Sequence, residues 1–287
     1  MAASILIGGA TGTNGRAVID VLTEQGVSVR ALVRSKAAAT GLAGPYVELC
    51  EGDYGNRESL IAALSGVEVA YFISAVHKDY PIWFENFLET CKHSAVKRIV
   101  KFSGMGATEG VPSEILRTHA RTDQVLKSSG MAYTILRPNS FYQNMFMFEQ
   151  SIKAQGAIYL NMGDARQSLV DVRDIAQVGA IVLTRDGHEN KIYDLSGPEA
   201  MTFQEVAAKL SQASGKTIQY VPISNEAVEQ GMISTGMPEW DAHLLAEIFS
   251  YFASGQAADI HDTIQQVTGK APRTFDQFAN DFAAAFN

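Results

Sequence analysis

Gly9, Gly12 and Gly15 stand three apart in the segment GGATGTNG (8–15), directly after the apolar run Ile5-Leu6-Ile7. Beyond them, Ala17, Val18, Val21 and Leu22 recur at helical spacing through residues 16–25. A strand that ends in glycines and feeds a helix start is a phosphate cradle. The glycines permit a tight turn and close backbone approach, and the helix start offers unpaired N–H donors with a favourable dipole. Glycine spacing alone is a weak signal, but here the strand and the helix that the motif needs are both readable.

The rest of the first half continues the pattern. Short β-rich runs at 4–7, 28–33, 47–50, 69–73, 98–102 and 133–136 predict strands. Helical patterns begin near Arg16, Asn56, Pro81 and Ser113, with a Gly- and Ala-rich surface connection at 40–45. Strand–helix alternation at this spacing predicts an α/β fold: a doubly wound, mostly parallel Rossmann sheet with helices on both faces. The run 69–73 is apolar throughout, as suits a strand covered on both sides.

After Arg137-Pro138 the pattern changes. Residues 141–154 are rich in Met and aromatics, and further strands are predicted at 168–172, 191–195 and 217–221. Asp174 and Thr202 read as helix openers, the latter with Glu205 at capping-box spacing. The expected division is an NAD(P)-binding Rossmann domain over 1–150. A smaller, mainly helical substrate lobe over 151–287 would partly extend the main sheet.

A chain of 287 residues, 46% hydrophobic and 19% charged, suits a soluble enzyme with a sizeable core. A net charge of −8 argues against nucleic-acid partners, which need a basic face. No apolar run reaches the ~20 residues that span a bilayer, and the start of the chain lacks a signal-peptide pattern. Cys50 and Cys91 read as buried reduced thiols. The chain is therefore expected in the cytoplasm, as a monomer or homodimer acting on a small molecule, with no nucleic acid and no membrane. The histidines at 77, 93, 188, 243 and 261 show no metal-ligand spacing, and no G-x-S-x-G elbow is present.

The end of the second strand reads Ala31-Leu32-Val33-Arg34-Ser35-Lys36. An NAD site usually places a carboxylate here for the ribose 2′-hydroxyl. Arg34, helped by Lys36 and Asn14, suits a 2′-phosphate instead, so NADP(H) is expected in preference to NAD(H). The alternative is a solvated basic turn. The remaining cofactor contacts fall on Gly9, Thr11, Gly12, Thr13, Asn14 and Gly15 in the loop, and on Asp53 and Tyr54 after the third strand. Ile73 and Ser74 lie at the end of the fourth strand, Ser103 and Gly104 at that of the fifth, and Pro138 and Asn139 at that of the sixth. Asp53 reads equally well as a turn aspartate.

The GGATGTNG loop, the LVR strand end, EGDYGNRESL, VKRIVKFSG, YTILRPNSFYQN and VDVRDIA together resemble the NmrA-like family of atypical short-chain dehydrogenases/reductases. The resemblance covers roughly the whole chain and is nearest to members that reduce quinones and triphenylmethane dyes. It implies an NAD(P)-dependent oxidoreductase. The wider superfamily uses a Tyr-x-x-x-Lys pair on the helix after the fifth strand. Counting back from Ser129-Gly130 and Tyr133-Thr134 puts His119 at the Lys position and Ile115 at the Tyr position. The usual proton donor is therefore missing.

This loss matches acceptors that need no proton at the moment of hydride transfer. A quinone delocalises the charge, and a cationic dye is neutralised by the hydride itself. The expected function is NADPH-dependent hydride transfer to a quinone-like or conjugated aromatic acceptor, with His119, Ser103 and Tyr142 as catalytic candidates. His119 reads as a cofactor or substrate contact, a proton source, or a polar lining residue. The substrate candidates are His77, Trp83, Met105, Phe141, Tyr142, Asn144, Met145 and Phe148, with helix core as the competing reading for residues 146–148. Met232, Met237, Trp240 and His243 are candidates for a lid. Two other functions fit the resemblance: a non-catalytic NAD(P) sensor, and an atypical reductase or isomerase of a specialised metabolite.

Overall fold

The computed structural model describes residues 4–287. The chain runs β1 (Ile5–Ile7), α1 (Thr13–Glu24), β2 (Val29–Val33), β3 (Val47–Glu51), α2 (Arg57–Ala63) and β4 (Val69–Phe72). It continues through α3 (Tyr80–Lys92), β5 (Arg98–Phe102), α4 (Glu114–Lys127) and β6 (Ala132–Pro138). Then come α5 (Glu149–Gln155), β7 (Ala157–Leu160), α6 (Val172–Thr184), β8 (Lys191–Leu195), α7 (Phe203–Ser214) and β9 (Gln219–Pro222). Helices α8 (Asn225–Ser234), α9 (Glu239–Tyr251), α10 (Thr263–Thr268) and α11 (Phe275–Asp281) complete it.

Seven strands form one parallel sheet in the order β3-β2-β1-β4-β5-β6-β8. The chain moves outward from β1 to β3, then returns to place β4 on the other side of β1. The order reverses between β1 and β4, and in open α/β sheets ligands bind at the carboxyl ends of the strands at such a switch point. The expected strands of the first half all form, with ends shifted by a residue or two. β5 coincides with its expected bounds. β8 extends the main sheet at its far edge, whereas β7 and β9 form a separate two-stranded parallel sheet.

The chain packs as two interleaved units. The first comprises the stretch ending at Gly104, then Thr118–Arg137 and Ile175–Tyr193. The second comprises Met105–Arg117, Pro138–Asp174 and Asp194–Asn287. The division thus differs from a single cut at residue 150. In the first unit, Leu6, Ala70 and Phe72 of the sheet pack on Phe84, Phe87 and Leu88 of α3. Asn56 caps α2 by accepting from Glu58 N and Ser59 N, and Pro81 sits in the first turn of α3, where its missing N–H costs nothing. In the second unit, Ile158, Leu160, Phe203, Val206, Phe275 and Phe278 build the core. The Thr202–Glu205 capping box forms as expected.

The expected strand at 168–172 does not form. Val170 makes one isolated bridge to Phe141, and Gln167 one to Met201. The segment's polar side chains turn inward instead, with Ser168 donating to the Asp259 carbonyl at 2.6 Å. The helix expected to open at Asp174 starts at Val172, because Asp171 Oδ1 takes the Arg173 N–H at 2.9 Å. Arg173 pairs with Asp171 and Asp281, all inside the second unit. Asp174 lies in the first turn and pairs with Arg273. Both cysteines are free. No helix among the described residues is long and apolar enough to cross a membrane.

Candidate functional site

The glycine loop has the form that its sequence demands. Gly9 adopts φ +57°, open to glycine at little cost, and a Cβ there would lie 2.7 Å from the Ile73 carbonyl oxygen. Gly15 is closed even more tightly: a Cβ would stand 2.2 Å from the Gly9 oxygen. Gly12 differs, since a Cβ would meet only the Gly9 oxygen, at 3.3 Å. Its outer side faces solvent together with Thr11 and Thr13.

Gly12 is also the N-cap of α1, and no side chain caps that helix. The N–H groups of its first turn are left to an external acceptor. Asn14 is buried beside them, and its Oδ1 lacks a hydrogen-bond partner among the described residues. A buried unpaired polar atom costs roughly 1–3 kcal/mol and calls for an explanation. A ligand bringing both an anion and hydrogen-bond donors to this loop supplies one. The cradle therefore fits the pyrophosphate and ribose of a dinucleotide.

At the tip of β2, Arg34 and Lys36 are both exposed. Neither side chain is engaged in a hydrogen bond or ion pair among the described residues. After β3, Asp53 spends part of its carboxylate on its own turn: Oδ1 accepts the Gly55 N–H at 2.6 Å. Tyr54 follows in the same turn. Its ring packs on Phe72 at 4.6 Å between centroids, and its hydroxyl donates to the Ile73 carbonyl at 3.3 Å. Burial pushes its pKa well up. A Cβ on Gly8 would fall 1.7 Å from that hydroxyl oxygen, so the Tyr54 phenol packs directly beneath the loop.

His77 and Trp83 are two of the substrate candidates. Their rings stack on each other at 4.7 Å and 2°. The Trp83 Nε1 lies 3.5 Å from where a Gly55 Cβ would be, which places the pair beside the Asp53–Gly55 turn. The physical reason is that α3 begins at Tyr80, and its first turn carries Trp83 toward the end of β3. Ser74 Oγ donates to the adjacent Ala75 carbonyl.

The end of β5 carries a buried polar network that no local sequence pattern announces. Lys101 is fully buried in the middle of the sheet and donates to Asp123 Oδ1 at 2.7 Å. Asp123 Oδ2 accepts from Ser103 Oγ at 2.9 Å and from Arg137 Nη2 at 2.8 Å. Burial opposes the Asp123 charge, but Lys101 and Arg137 overcome it and hold the carboxyl below its usual range. The Lys101 ammonium also lies over the Phe84 ring at 5.5 Å.

His119 sits on the same side of α4 as Asp123, one turn earlier. It is buried, with Nδ1 3.4 Å from the Tyr80 hydroxyl. Burial, and then the Lys101 charge, lower its pKa to about 3. The ring is neutral near pH 7, which removes the imidazolium as a ready proton source.

In the second unit, Tyr142, Met145 and Phe148 belong to the core. The Tyr142 hydroxyl donates to the Arg273 carbonyl at 3.2 Å, and its ring meets Phe275 edge-on. Burial raises its pKa, so the phenol is a structural strut. Asn139 is likewise consumed. It donates to Ser168 Oγ and the Ala257 carbonyl, and accepts from Gln167 Nε2 and Ser140 N. The Pro138 carbonyl takes the Met105 N–H. Met105, Phe141 and Asn144 stay half-buried outside the core. Met232 packs against the core, whereas Trp240 is 38% exposed.

Known proteins resemble this chain over its full extent. An NAD(P)H azoreductase of Xenophilus azovorans is 37% identical over 282 residues, covering 98% of this chain and 99% of that protein. The crystal structure of an NADPH-dependent quinone oxidoreductase from Escherichia coli, complexed with NADPH, has a TM-score of 0.88 at 29% identity. It is covered over 97% of this chain and 99% of its own. A Citrobacter triphenylmethane reductase complexed with NADP(H) has a TM-score of 0.86 at 31% identity, covering 98% of this chain and all of its own. The NmrA-like family matches residues 1–279, so the chain belongs to the NmrA-like family.

Proposed function

We propose that this protein is an NAD(P)H-dependent oxidoreductase that reduces quinone-like or conjugated aromatic acceptors, with NADPH as the favoured donor. The observation that carries the reading is the glycine loop: an uncapped helix start beside a buried, unpartnered Asn14 carbonyl. The named activities of the azoreductase, quinone oxidoreductase and triphenylmethane reductase relatives support the acceptor class.

The loop residues Gly9, Thr11, Gly12, Thr13, Asn14 and Gly15 would hold the pyrophosphate, with Asn14 Oδ1 accepting from a ligand hydroxyl. Arg34 and Lys36 would take a 2′-phosphate, and Asp53 with the His77–Trp83 stack would bound the adenine. When bound, the cofactor supplies the hydride. Ser103 has its proton committed to Asp123, so its oxygen receives ligand donors. Ile115 brings no proton to the site, and neutral His119 contributes a hydrogen bond in place of an acid. Such a site works by holding the reactants in place. It therefore suits acceptors that take a hydride without a concerted proton.

The test is NADPH oxidation by the purified protein across quinones, an azo dye, a triphenylmethane dye and unactivated ketones. Turnover with the conjugated acceptors and little with ketones is the expected result. Tight NADPH binding with no turnover on any acceptor would favour a sensor instead.

A further inference from the structure

β2 and β3 run in parallel with Val33 in register with Glu51. Both strands end at this pair, so Glu51 and the segment after Val33 share one end of the sheet. The Glu51 carboxylate reaches across to the β2 tip, where Oε1 accepts the backbone N–H of Lys36 at 2.9 Å. It pairs with neither cationic side chain. Arg34 and Lys36 are exposed on either side of that amide's neighbour Ser35, and their charged groups are unengaged among the described residues. One internal anion thus sits on a main-chain donor beside two unpaired cations.

We propose that Glu51 is a specificity-determining residue that holds back the preference for NADPH and keeps NADH a competent ligand. The proposal rests on the dinucleotide reading given above. The chemistry is that of an anion site already in use. A 2′-phosphate arriving between Arg34 and Lys36 would seek the same donors, including the Lys36 amide. It would meet a carboxylate of like charge that holds the amide. A 2′-hydroxyl carries no charge to repel, and it can donate to the carboxylate. The acid usually found at the second strand's own end in NAD sites is here delivered from the third strand. The two opposing determinants therefore coexist at one corner.

The experiment is calorimetric titration of the whole chain with NADPH, NADH, 2′,5′-ADP and 5′-AMP. Wild type, Glu51→Gln and Glu51→Ala are compared. Glu51→Gln keeps an acceptor for the Lys36 amide and removes only the charge. It is expected to raise the NADPH-to-NADH affinity ratio about fivefold, the scale of one exposed charge at contact distance. The ratio of 2′,5′-ADP to 5′-AMP should follow. Glu51→Ala also frees the amide, so it should raise both ratios further. Raising the salt from ~0.1 M to ~1 M should shrink the gain, because exposed charges are screened. If wild type binds both dinucleotides and neither variant changes either ratio, the proposal is overturned. If wild type binds none of the four ligands, the dinucleotide reading itself fails.

Discussion

The Ser103 hydroxyl donates to Asp123 at 2.9 Å, and the same carboxylate neutralises the fully buried Lys101 at 2.7 Å. An ionised carboxylate can only accept, so this pairing fixes the direction of the Ser103 proton. One acid therefore does two things. It compensates a charge inside the sheet, and it leaves the Ser103 oxygen as an acceptor at the carboxyl edge of β5.

Removing Asp123 should be costly. Asp123→Ala leaves the Lys101 ammonium buried without its counter-charge, and breaking a buried pair in this way costs ~3–5 kcal/mol. Urea denaturation should register that loss, and a loss below ~1 kcal/mol would refute the account. The pH dependence has a definite sign. The Asp123 carboxyl is held below its usual value in the folded state. Its contribution is complete above the unfolded value near ~3.9 and is lost as pH falls through the lower folded one. Acid unfolding of wild type should thus be steeper than that of a Lys101→Met/Asp123→Leu double variant.

The glycine loop separates binding from folding. A Cβ on Gly12 would meet one atom, at 3.3 Å, whereas a Cβ on Gly15 would run into the Gly9 backbone at 2.2 Å. Gly12→Val should leave the thermal midpoint within a few degrees of wild type and remove measurable dinucleotide binding, because its side chain fills the outer face of the cradle. Gly15→Val should lower the midpoint itself. Full affinity in the Gly12→Val protein would show that the phosphates lie elsewhere.

How much of this was legible follows from how local each signal is. The strand–glycine–helix unit at residues 5–24 is written in consecutive residues, and so is the Thr202–Glu205 capping box. The Lys101 network is not. Lys101 reads as an ordinary surface lysine until Asp123, 22 residues on, is brought beneath it by α4 packing on β5. The surroundings of Tyr142 and Asn139 are equally non-local. Their polar groups are met by Arg273 and Ala257, each more than 110 residues away. Trp83 was placed on the correct helix, but the direction of its ring depends on where α3 begins. Residues 157–160 form β7 only by pairing with β9, whose sequence lies about 60 residues downstream.

Arg34 tests the cofactor reading directly. Its guanidinium is exposed and unengaged among the described residues, so its removal should not disturb the fold. Arg34→Ala should weaken NADPH by ~1–2 kcal/mol, the lower part of the range for bonds to charged groups, given its exposure. NADH should be nearly unaffected. Equal losses for the two cofactors in a calorimetric titration would show that Arg34 does not read the 2′-phosphate.

His119 is the last test, and burial decides its behaviour. Its pKa is lowered to about 3 by burial first and by the Lys101 charge second, against the pull of Asp123. Unfolded, the ring would titrate near ~6.5. The stability tied to a neutral buried ring is therefore complete above that pH and is lost as pH falls from ~6.5 toward the folded value. His119→Phe should remove part of the acid sensitivity between pH ~6.5 and ~4. In catalysis, a neutral ring predicts no inflection from His119 in the pH profile of quinone reduction between pH ~5.5 and ~8. His119→Ala should slow quinone reduction by less than the ~100-fold that loss of a true general acid produces. Reduction of simple ketones should be slow even in wild type if, as the sequence spacing implies, the superfamily's Tyr position falls on Ile115. An inflection near pH ~6.5 that disappears in His119→Ala would overturn this account, because it would require an imidazolium that the buried site does not favour.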